Sequence, residues 1–398
     1  MNKIVTTAAL FGALTLSAQE SSELQQQLDE LKAKVSEIEA SKNSLKLASP
    51  DTELEIGGRI EISAFYTKNG DGSITRQIDN KKSKLSTTAR DSRIWVKSAT
   101  PTKYGIARTL VELDFQGAGG DKKSINGHTT RLRHAFATIG GWTFGQNNSA
   151  FNSLALPDTI GYSANFTMVR QPQVRYAHSF GDLQVELSLE QPETIFQRRI
   201  DDNKPGVDTG YTPDRNKSPD VIMRVVDHKT FLSYGGAFMG RYITNGNASK
   251  AKMAYGANLF GRIDLFEMDD IRFDMQAGEG IGRYINFHSY QAAALLENND
   301  IRLAKNFGAS VAYRHWWSTE IRSTLSLSHA RNENDTEHLA DSILGGLNRS
   351  QNTLLINTFI EPIKNTQFGV EYIRSQKELE SKEKIDFDML SVSFRYDF

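Results

Sequence analysis

Apolar and polar residues alternate along much of the chain, and the alternation runs up to the last residue. Large apolar side chains occupy every second position of the final segment, namely Leu390, Val392, Phe394, Tyr396 and Phe398. Because successive side chains of a strand point to opposite faces, this pattern predicts a terminal strand with one apolar face. An unpaired strand of this kind recruits other chains, so we expect the last strand to pair with the first in a closed barrel.

Sixteen segments with strand-like alternation are predicted, the first at residues 54–66 and the last at residues 387–398. Every second connector is tight: 100–103, 140–141, 181–182, 227–229, 267–270, 316–318 and 362–366. The other eight connectors are mostly long and polar, and the last of them is predicted at residues 376–386. Short turns on one side and long loops on the other are typical of bacterial outer-membrane barrels. The sequence therefore predicts an all-β, 16-stranded antiparallel transmembrane β-barrel of residues 51–398. The start of the first strand and the end of the last strand are both expected on the periplasmic side.

Charged residues are mostly confined to one face of each predicted strand. Val111 and Leu113 share one face, for example, whereas Glu112 and Asp114 share the other. An Arg or Lys side chain near the bilayer midplane costs about 2–4 kcal/mol, so we expect the charged face to line the lumen. For the strand that begins near Arg131, the same alternation predicts outward Leu132, His134 and Phe136 and inward Arg133, Ala135 and Ala137.

Two different segments precede the strands. Residues 1–18 have a short basic start, an apolar run and small residues at the end, which predicts a secretory signal peptide cut after Ala18. Residues 21–48 carry apolar side chains at alternating spacings of four and three: Leu24, Leu28, Leu31, Val35, Ile38 and Leu45. This heptad pattern predicts a short periplasmic coiled coil, because a lone helix of this length is marginal in water. The alternative is an amphipathic helix packed on its own barrel, and the heptads alone do not distinguish a dimer from a trimer.

Composition narrows the class of protein. None of the 398 residues is Cys, which excludes a disulfide framework and a thiolate site. A formal net charge of −1 disfavours a nucleic-acid partner, for which a basic footprint is expected. The mean hydropathy of −0.47 fits a barrel in which half of each strand faces a wet lumen. No pattern of residues predicts a cofactor or a metal.

The connector at residues 147–172 is more apolar than an exposed loop should be, because Leu154, Leu156, Ile160 and Phe166 all need cover. The inner wall of the barrel could supply that cover, in which case the loop narrows the pore. An external loop packed against neighbouring loops is the alternative. If the loop is internal, Asp158 and the two Asn residues are expected to meet lumen-facing arginines. The predicted constriction residues are Arg131, Arg133, Asn147, Asn148, Asp158, Arg170 and Arg175.

Arginine is the cation that predominates near this predicted constriction. A planar guanidinium binds carboxylates bidentately, and rings of Arg select anions. The residues therefore favour a channel with a weak preference for small anionic solutes, such as small carboxylates or dicarboxylates. The alternative is that these arginines only pair with acids across the wall.

Three stretches of the chain resemble the DcaP-like porins: residues 140–146, 156–159 and 169–176. Residues 131–136 and the heptad segment fit the same pattern. The resemblance implies a sixteen-stranded homotrimer in the lipid of the bacterial outer membrane, with a periplasmic coiled coil, and some such porins are associated with small dicarboxylates. A terminal strand that carries Phe394, Tyr396 and Phe398 also resembles the signal that such barrels present to the barrel-assembly machinery.

An enzymatic function is not predicted. Gly278, Gly280 and Gly282 superficially resemble a phosphate-binding loop, but they lie in an alternating strand and open no helix. Paired carboxylates such as Asp201-Asp202 are typical of solvated loops, and no sequence cluster resembles a nucleophile with its base. A further alternative is a barrel that acts mainly as a membrane anchor, with the coiled coil as a periplasmic tether.

Overall fold

The structure, a computed structural model, describes residues 28–34, 51–69, 83–120, 125–153, 156–160, 167–198, 216–244, 250–285, 290–295, 300–337 and 344–398. The chain divides into two compact units, Met1–Glu53 and Leu54–Phe398.

In the first unit, residues 28–34 are helical. The side chains of Leu28 and Leu31 are exposed on this helix, and Lys34 Nζ donates a hydrogen bond to Glu30 Oε1 at 3.0 Å. The remaining predicted heptad residues and the predicted signal peptide lie outside the described residues: Leu24, Val35, Ile38, Leu45 and residues 1–18. Within the described ranges, no helix has the length and apolar character needed to cross a membrane. Because most of the heptad residues lie outside the described residues, the coiled coil stays a prediction.

The regular secondary structure of the described part of the second unit is almost entirely strand. The strands are β1 (Glu53–Lys68), β2 (Lys84–Thr88), β3 (Arg93–Thr102), β4 (Gly105–Asp114), β5 (Arg131–Ile139), β6 (Trp142–Asn148), β7 (Arg170–Phe180), β8 (Leu183–Glu190), β9 (Phe196–Arg198), β10 (Asp220–His228), β11 (Leu232–Ile243), β12 (Lys252–Leu265), β13 (Asp269–Glu279), β14 (Ala293–Leu295), β15 (Ile301–Leu303), β16 (Lys305–Trp316), β17 (Ile321–Glu333), β18 (Asn348–Ile360), β19 (Thr366–Leu379) and β20 (Lys384–Asp397). One 3-10 helix spans Gly282–Tyr284.

Seventeen of these strands form one closed antiparallel barrel. β20 pairs with β1, with Asp397 opposite Arg59 at one end and Asp388 opposite Lys68 at the other. β2 and β3 both pair with β1 and together make one position in the wall, so the barrel has sixteen wall positions. Gly58 N donates to Phe398 O at 3.0 Å, and Phe398 N donates to Gly58 O at 2.9 Å. The predicted fold class and the predicted pairing of the last strand with the first are confirmed.

The connectors are sorted as the sequence predicts, with two exceptions. The loop predicted at residues 67–90 contains β2, which pairs with β1. Tight turns alternate with longer connectors between β6 and β7, between β8 and β10, and between β13 and β16. The described parts of the last two contain β9, β14 and β15, which form a separate small sheet. The long loop predicted at residues 376–386 is wrong. β19 and β20 extend until only residues 380–383 remain, and Leu379 N donates to Glu383 O at 3.0 Å. Apart from Leu379 and Ile385, the side chains of residues 376–386 are polar, so the hydrophobic alternation fades although the backbone pairing continues.

A β-bulge in β5 reverses the predicted faces of the strand beyond it. Leu113 lies opposite Leu132 but Glu112 lies opposite His134, so one extra residue, Arg133, is accommodated in β5. Phe136 is consequently opposite inward-facing Leu110, and its predicted outward orientation is wrong. By the same register, His134 lies opposite inward-facing Glu112 and faces inward. Ala135 and Ala137 lie opposite outward-facing residues of β4 and β6 and face outward. A one-residue shift has this effect because the side-chain period of a strand is two residues.

Candidate pore constriction

The loop between β6 and β7 enters the barrel. We call residues 149–169 the interior loop; the structure describes residues 149–153, 156–160 and 167–169 of it. Ala150 and Phe151 are fully buried. Ala150 N donates to Glu190 Oε1 on β8 at 2.8 Å, and Asn258 Nδ2 on β12 donates to Phe151 O at 2.8 Å. These contacts with β8 and β12 keep the first part of the loop against the inner wall.

Local hydrogen bonds close the base of the interior loop. Ser149 N donates to Val169 O at 2.8 Å and continues the ladder between β6 and β7. The side-chain amide of Asn152 then replaces the backbone of a strand partner for Val169. Its Nδ2 donates to Val169 O at 2.9 Å, and its Oδ1 accepts from Val169 N at 2.8 Å. Asn is suited to this position because its amide both donates and accepts.

The second described part of the loop reaches the opposite wall. The guanidinium of Arg272, on β13, donates to Leu156 O. Asn357 Nδ2, on β18, donates to Asp158 O at 2.7 Å, and Ile160 N donates to Glu371 Oε2, on β19, at 3.0 Å. The interior loop therefore crosses the lumen from β6 to β19 and reduces its cross-section.

Asp158 is the charged group at the far end of this crossing. Its carboxylate lies 2.8 Å from Arg322 Nε and 3.4 Å from Arg314 Nη1. Burial alone would raise the pKa of Asp158, but attraction and a hydrogen bond from Arg322, with further attraction from Arg314 and Arg272, outweigh it and hold that pKa below its usual value. The expected meeting of Asp158 with Arg131, Arg133 and Arg175 does not occur, because Asp158 reaches the wall at β16 and β17 instead.

A second group of charges lies on the wall at β3–β7. We call Arg93, Arg131, Arg133 and Arg170, with Glu112 and Asp114, the arginine cluster. Arg131 donates to both carboxylate oxygens of Asp114, at 3.0 and 2.6 Å. Arg133 bridges the two acids, with Nε 2.5 Å from Glu112 Oε1 and Nη1 2.9 Å from Asp114 Oδ2. Two of the predicted arginines, Arg131 and Arg133, are thus brought together around one buried carboxylate.

Arg170 completes the cluster without an ion pair of its own among the residues that the structure describes. The positive charges of Arg133, Arg131 and Arg93 all act on it, opposed by the charge of Asp114. The side chain of Arg131 remains 36% exposed. Four guanidinium groups face two carboxylates, which leaves an excess of two positive charges (4 − 2).

The other predicted residues have separate surroundings. Arg175 pairs with Glu186 at 3.1 Å, apart from the cluster. Asn147 Oδ1 lies 3.0 Å from His134 Nδ1, and Asn148 is opposite Arg170 on the neighbouring strand. The alternation predicts that Arg272, Arg314 and Arg322 face inward, but nothing in the sequence indicates that they hold Asp158.

Residues 281–285 and Tyr290 also pack inside the barrel, which the sequence did not reveal. The rings of Tyr284 and Phe151 meet edge to face with centroids 5.2 Å apart. Tyr284 OH donates to Asp220 Oδ2 at 3.1 Å, and Arg241 Nε lies 3.0 Å from Asp220 Oδ1 with both side chains fully buried. Wall residues on β10–β12, including Ile222 and Met239, join the same apolar cluster. One side of the lumen is therefore filled.

Comparison with known proteins identifies the kind of barrel. A family model described as DcaP outer membrane protein matches residues 19–398. The outer membrane channel DcaP of Acinetobacter baumannii is 21% identical, with a TM-score of 0.77, over 88% of this chain and 99% of that chain. An anion-selective porin from Comamonas acidovorans is 10% identical, with a TM-score of 0.55, over 87% of this chain and 100% of that chain. OmpF of Salmonella typhi in complex with daunomycin is 12% identical, with a TM-score of 0.56, over 87% of this chain and 98% of that chain. No curated protein sequence matches the chain.

Proposed function

The chain belongs to the DcaP outer membrane protein family, and from that premise we propose that this outer-membrane channel passes small hydrophilic solutes passively, with a weak preference for anions such as small carboxylates. The observation that carries the proposal is the excess positive charge of the arginine cluster. Planar guanidinium groups bind carboxylates through two parallel hydrogen bonds, so the cluster favours the entry of carboxylate solutes.

The filled side of the lumen supports a particular route for these solutes. Apolar contacts of Phe151 and Tyr284 close the space along β10–β12. Arg131 and Arg108 keep exposed surface on the opposite side. Solutes then pass between the interior loop and the wall at β3–β5, where they meet the arginine cluster before they leave.

Ion selectivity tests the proposal directly. The double variant Arg131→Gln, Arg170→Gln removes two of the four guanidinium groups and leaves the acids in place. In planar bilayers under a KCl gradient, we expect the wild-type reversal potential to indicate an anion preference. The chloride-to-potassium permeability ratio should fall about twofold or more in the variant, because charges in a partly desolvated lumen act strongly at short range.

Lys229→Gln is the matched control, because Lys229 lies in a tight turn and pairs with Asp182 and Asp227 away from the cluster. Its permeability ratio should equal that of the wild type. Cation selectivity of the wild type, or an unchanged ratio in the double variant, would contradict the proposed anion preference. A complete absence of conductance would favour the alternative of a membrane anchor.

We further propose a homotrimer whose N-terminal helices form a periplasmic coiled coil over residues 21–48, after removal of residues 1–18. Leu28 and Leu31 are exposed along one helix, and apolar side chains at this spacing require partner helices in water. Phe394, Tyr396 and Phe398 are proposed as the segment that the barrel-assembly machinery recognises.

A further inference from the structure

A groove crosses the outer face of the barrel over β12, β13 and β16–β19. Its volume is about 790 Å³, within the roughly 300–1,000 Å³ typical of ligand pockets. One row of opposed residues runs along it: Leu259, Met275, Ala309, His329, Asn352 and Gln376. The short side chain of Ala309 between Met275 and His329 forms the lowest part of the groove.

The chemistry of the groove changes from one end to the other. Leu259, Met275 and Val311 make its first end apolar. At the other end, His329 Nδ1 lies 2.7 Å from Asn352 Oδ1, and Arg374 joins them in the lining. The side chain of Arg374 is 56% exposed, and its nearest carboxylate, on Asp388, is 3.9 Å away. An ion pair of that length leaves guanidinium donors available to a ligand.

The position of the polar end indicates which leaflet the groove faces. Ala309 lies nearer the long-loop end of β16, at Lys305, than the short-turn end, at Trp316. Asn352 is likewise nearer the long-loop end of β18. Because the longer loops of outer-membrane barrels are extracellular, this row lies on the side of the outer leaflet.

We propose that the groove binds the lipid A portion of lipopolysaccharide, a phosphorylated and multiply acylated glycolipid, with a phosphate on Arg374 and acyl chains along the apolar end. A planar guanidinium matches phosphate geometry bidentately. Six strands about 4.8 Å apart give the groove a width of about 24 Å, which accommodates several acyl chains side by side. This site is independent of the solute pathway inside the barrel.

Binding to the folded, purified protein in detergent tests the site. Lipid A, dephosphorylated lipid A and phosphatidylglycerol are titrated against the wild type and three variants, with bound lipid measured by native mass spectrometry. Arg374→Gln should weaken lipid A binding about tenfold or more, as expected when a hydrogen bond to a charged group is lost. Ala309→Leu should weaken it by a similar factor, because the larger side chain fills the floor of the groove while the charge is kept.

Lys305→Gln is the matched control, since Lys305 is another exposed cation on the outer face, near the long-loop end of its strand, but lies outside the groove. It should bind lipid A within twofold of the wild type. Dephosphorylated lipid A should bind the wild type as weakly as lipid A binds Arg374→Gln. Equal affinity for phosphatidylglycerol, or unchanged binding by Arg374→Gln, would overturn the proposal. Dissociation of protomers in Ala309→Leu and Arg374→Gln, with lipid binding unchanged, would instead identify the groove as a contact between copies of the chain.

Discussion

Asp158 anchors the far end of the interior loop through two arginines from adjacent wall strands. Arg322 is shared between Asp158, at 2.8 Å, and Glu361, at 2.7 Å. Its guanidinium lies 5.0 Å from the centre of the Trp316 ring, so an aromatic contact also holds it in place. The ionised carboxylate of Asp158 therefore adds charge-assisted contacts to the backbone hydrogen bonds that hold this end of the loop.

Asp158→Asn should loosen the interior loop while leaving the barrel folded. The loss of charge-assisted hydrogen bonds costs about 1.5–3 kcal/mol of local stability. We expect more conductance noise in single-channel recordings and a higher anion preference, because Arg314 and Arg322 keep their positive charges. Glu361→Gln is the matched control, because it removes the other carboxylate that pairs with Arg322 and lies outside the interior loop. Equal noise in both variants would show that Asp158 does not restrain the loop.

Acidic pH should have the same effect on the wild type. Because the folded-state pKa of Asp158 lies below its unfolded value of about 3.9, the ionised group stabilises the loop above that pH. This stabilisation is lost as the pH falls through the folded-state pKa. Conductance noise in the wild type should therefore stay constant from pH 7 to about 4 and rise as the pH is lowered further. That rise should be absent in Asp158→Asn, which is already uncharged.

At the scale of elements, periodicity predicts strands better than it predicts what loops do. All sixteen wall positions were predicted, because alternation is a property of each segment alone. The apolar character of residues 147–172 indicated a covered loop but not its cover. Phe151 finds that cover on Tyr284, over 130 residues later in the chain, and no local signal connects the two.

The N-terminal helix is the element whose proposed role is most easily separated from the channel. Deletion of residues 21–48 should weaken the trimer while the barrel still conducts, because the barrel closes through its own strands. Analytical ultracentrifugation in detergent and single-channel recording measure the two properties. A substitution that leaves the seam intact, such as Lys32→Ala, serves as the control. An unchanged trimer in the deletion variant would contradict the proposed coiled coil.

At the scale of the whole molecule, the barrel is completed by the last residue. Phe398 contributes two backbone hydrogen bonds to Gly58, and its ring lies over that glycine, where an added Cβ would come within 2.3 Å of the ring. Closure and the proposed assembly signal thus involve different parts of one residue: the backbone for the first and the aromatic ring for the second.

Phe398→Ala separates these two roles. It keeps the backbone bonds that close the barrel and removes the ring. We expect refolding from urea into detergent micelles to remain efficient, whereas the amount of folded barrel in the outer membrane of cells falls severalfold. Heat-modifiable mobility on gels measures folded protein in both cases. Phe398→Tyr should retain the cellular yield, and an equal yield from Phe398→Ala would contradict the assembly role.

The sequence by itself determined the fold class, the number of wall positions, the side of most connectors and the inward direction of Arg131 and Arg133. These properties follow from side-chain alternation, which each strand carries independently of its neighbours. The tertiary structure decided which charges meet. A bulge at Arg133 reversed the faces beyond it, and the interior loop brought Asp158 to Arg322 rather than to the arginine cluster. Such pairings depend on how the closed barrel brings distant strands around one lumen, and no period along the chain encodes them.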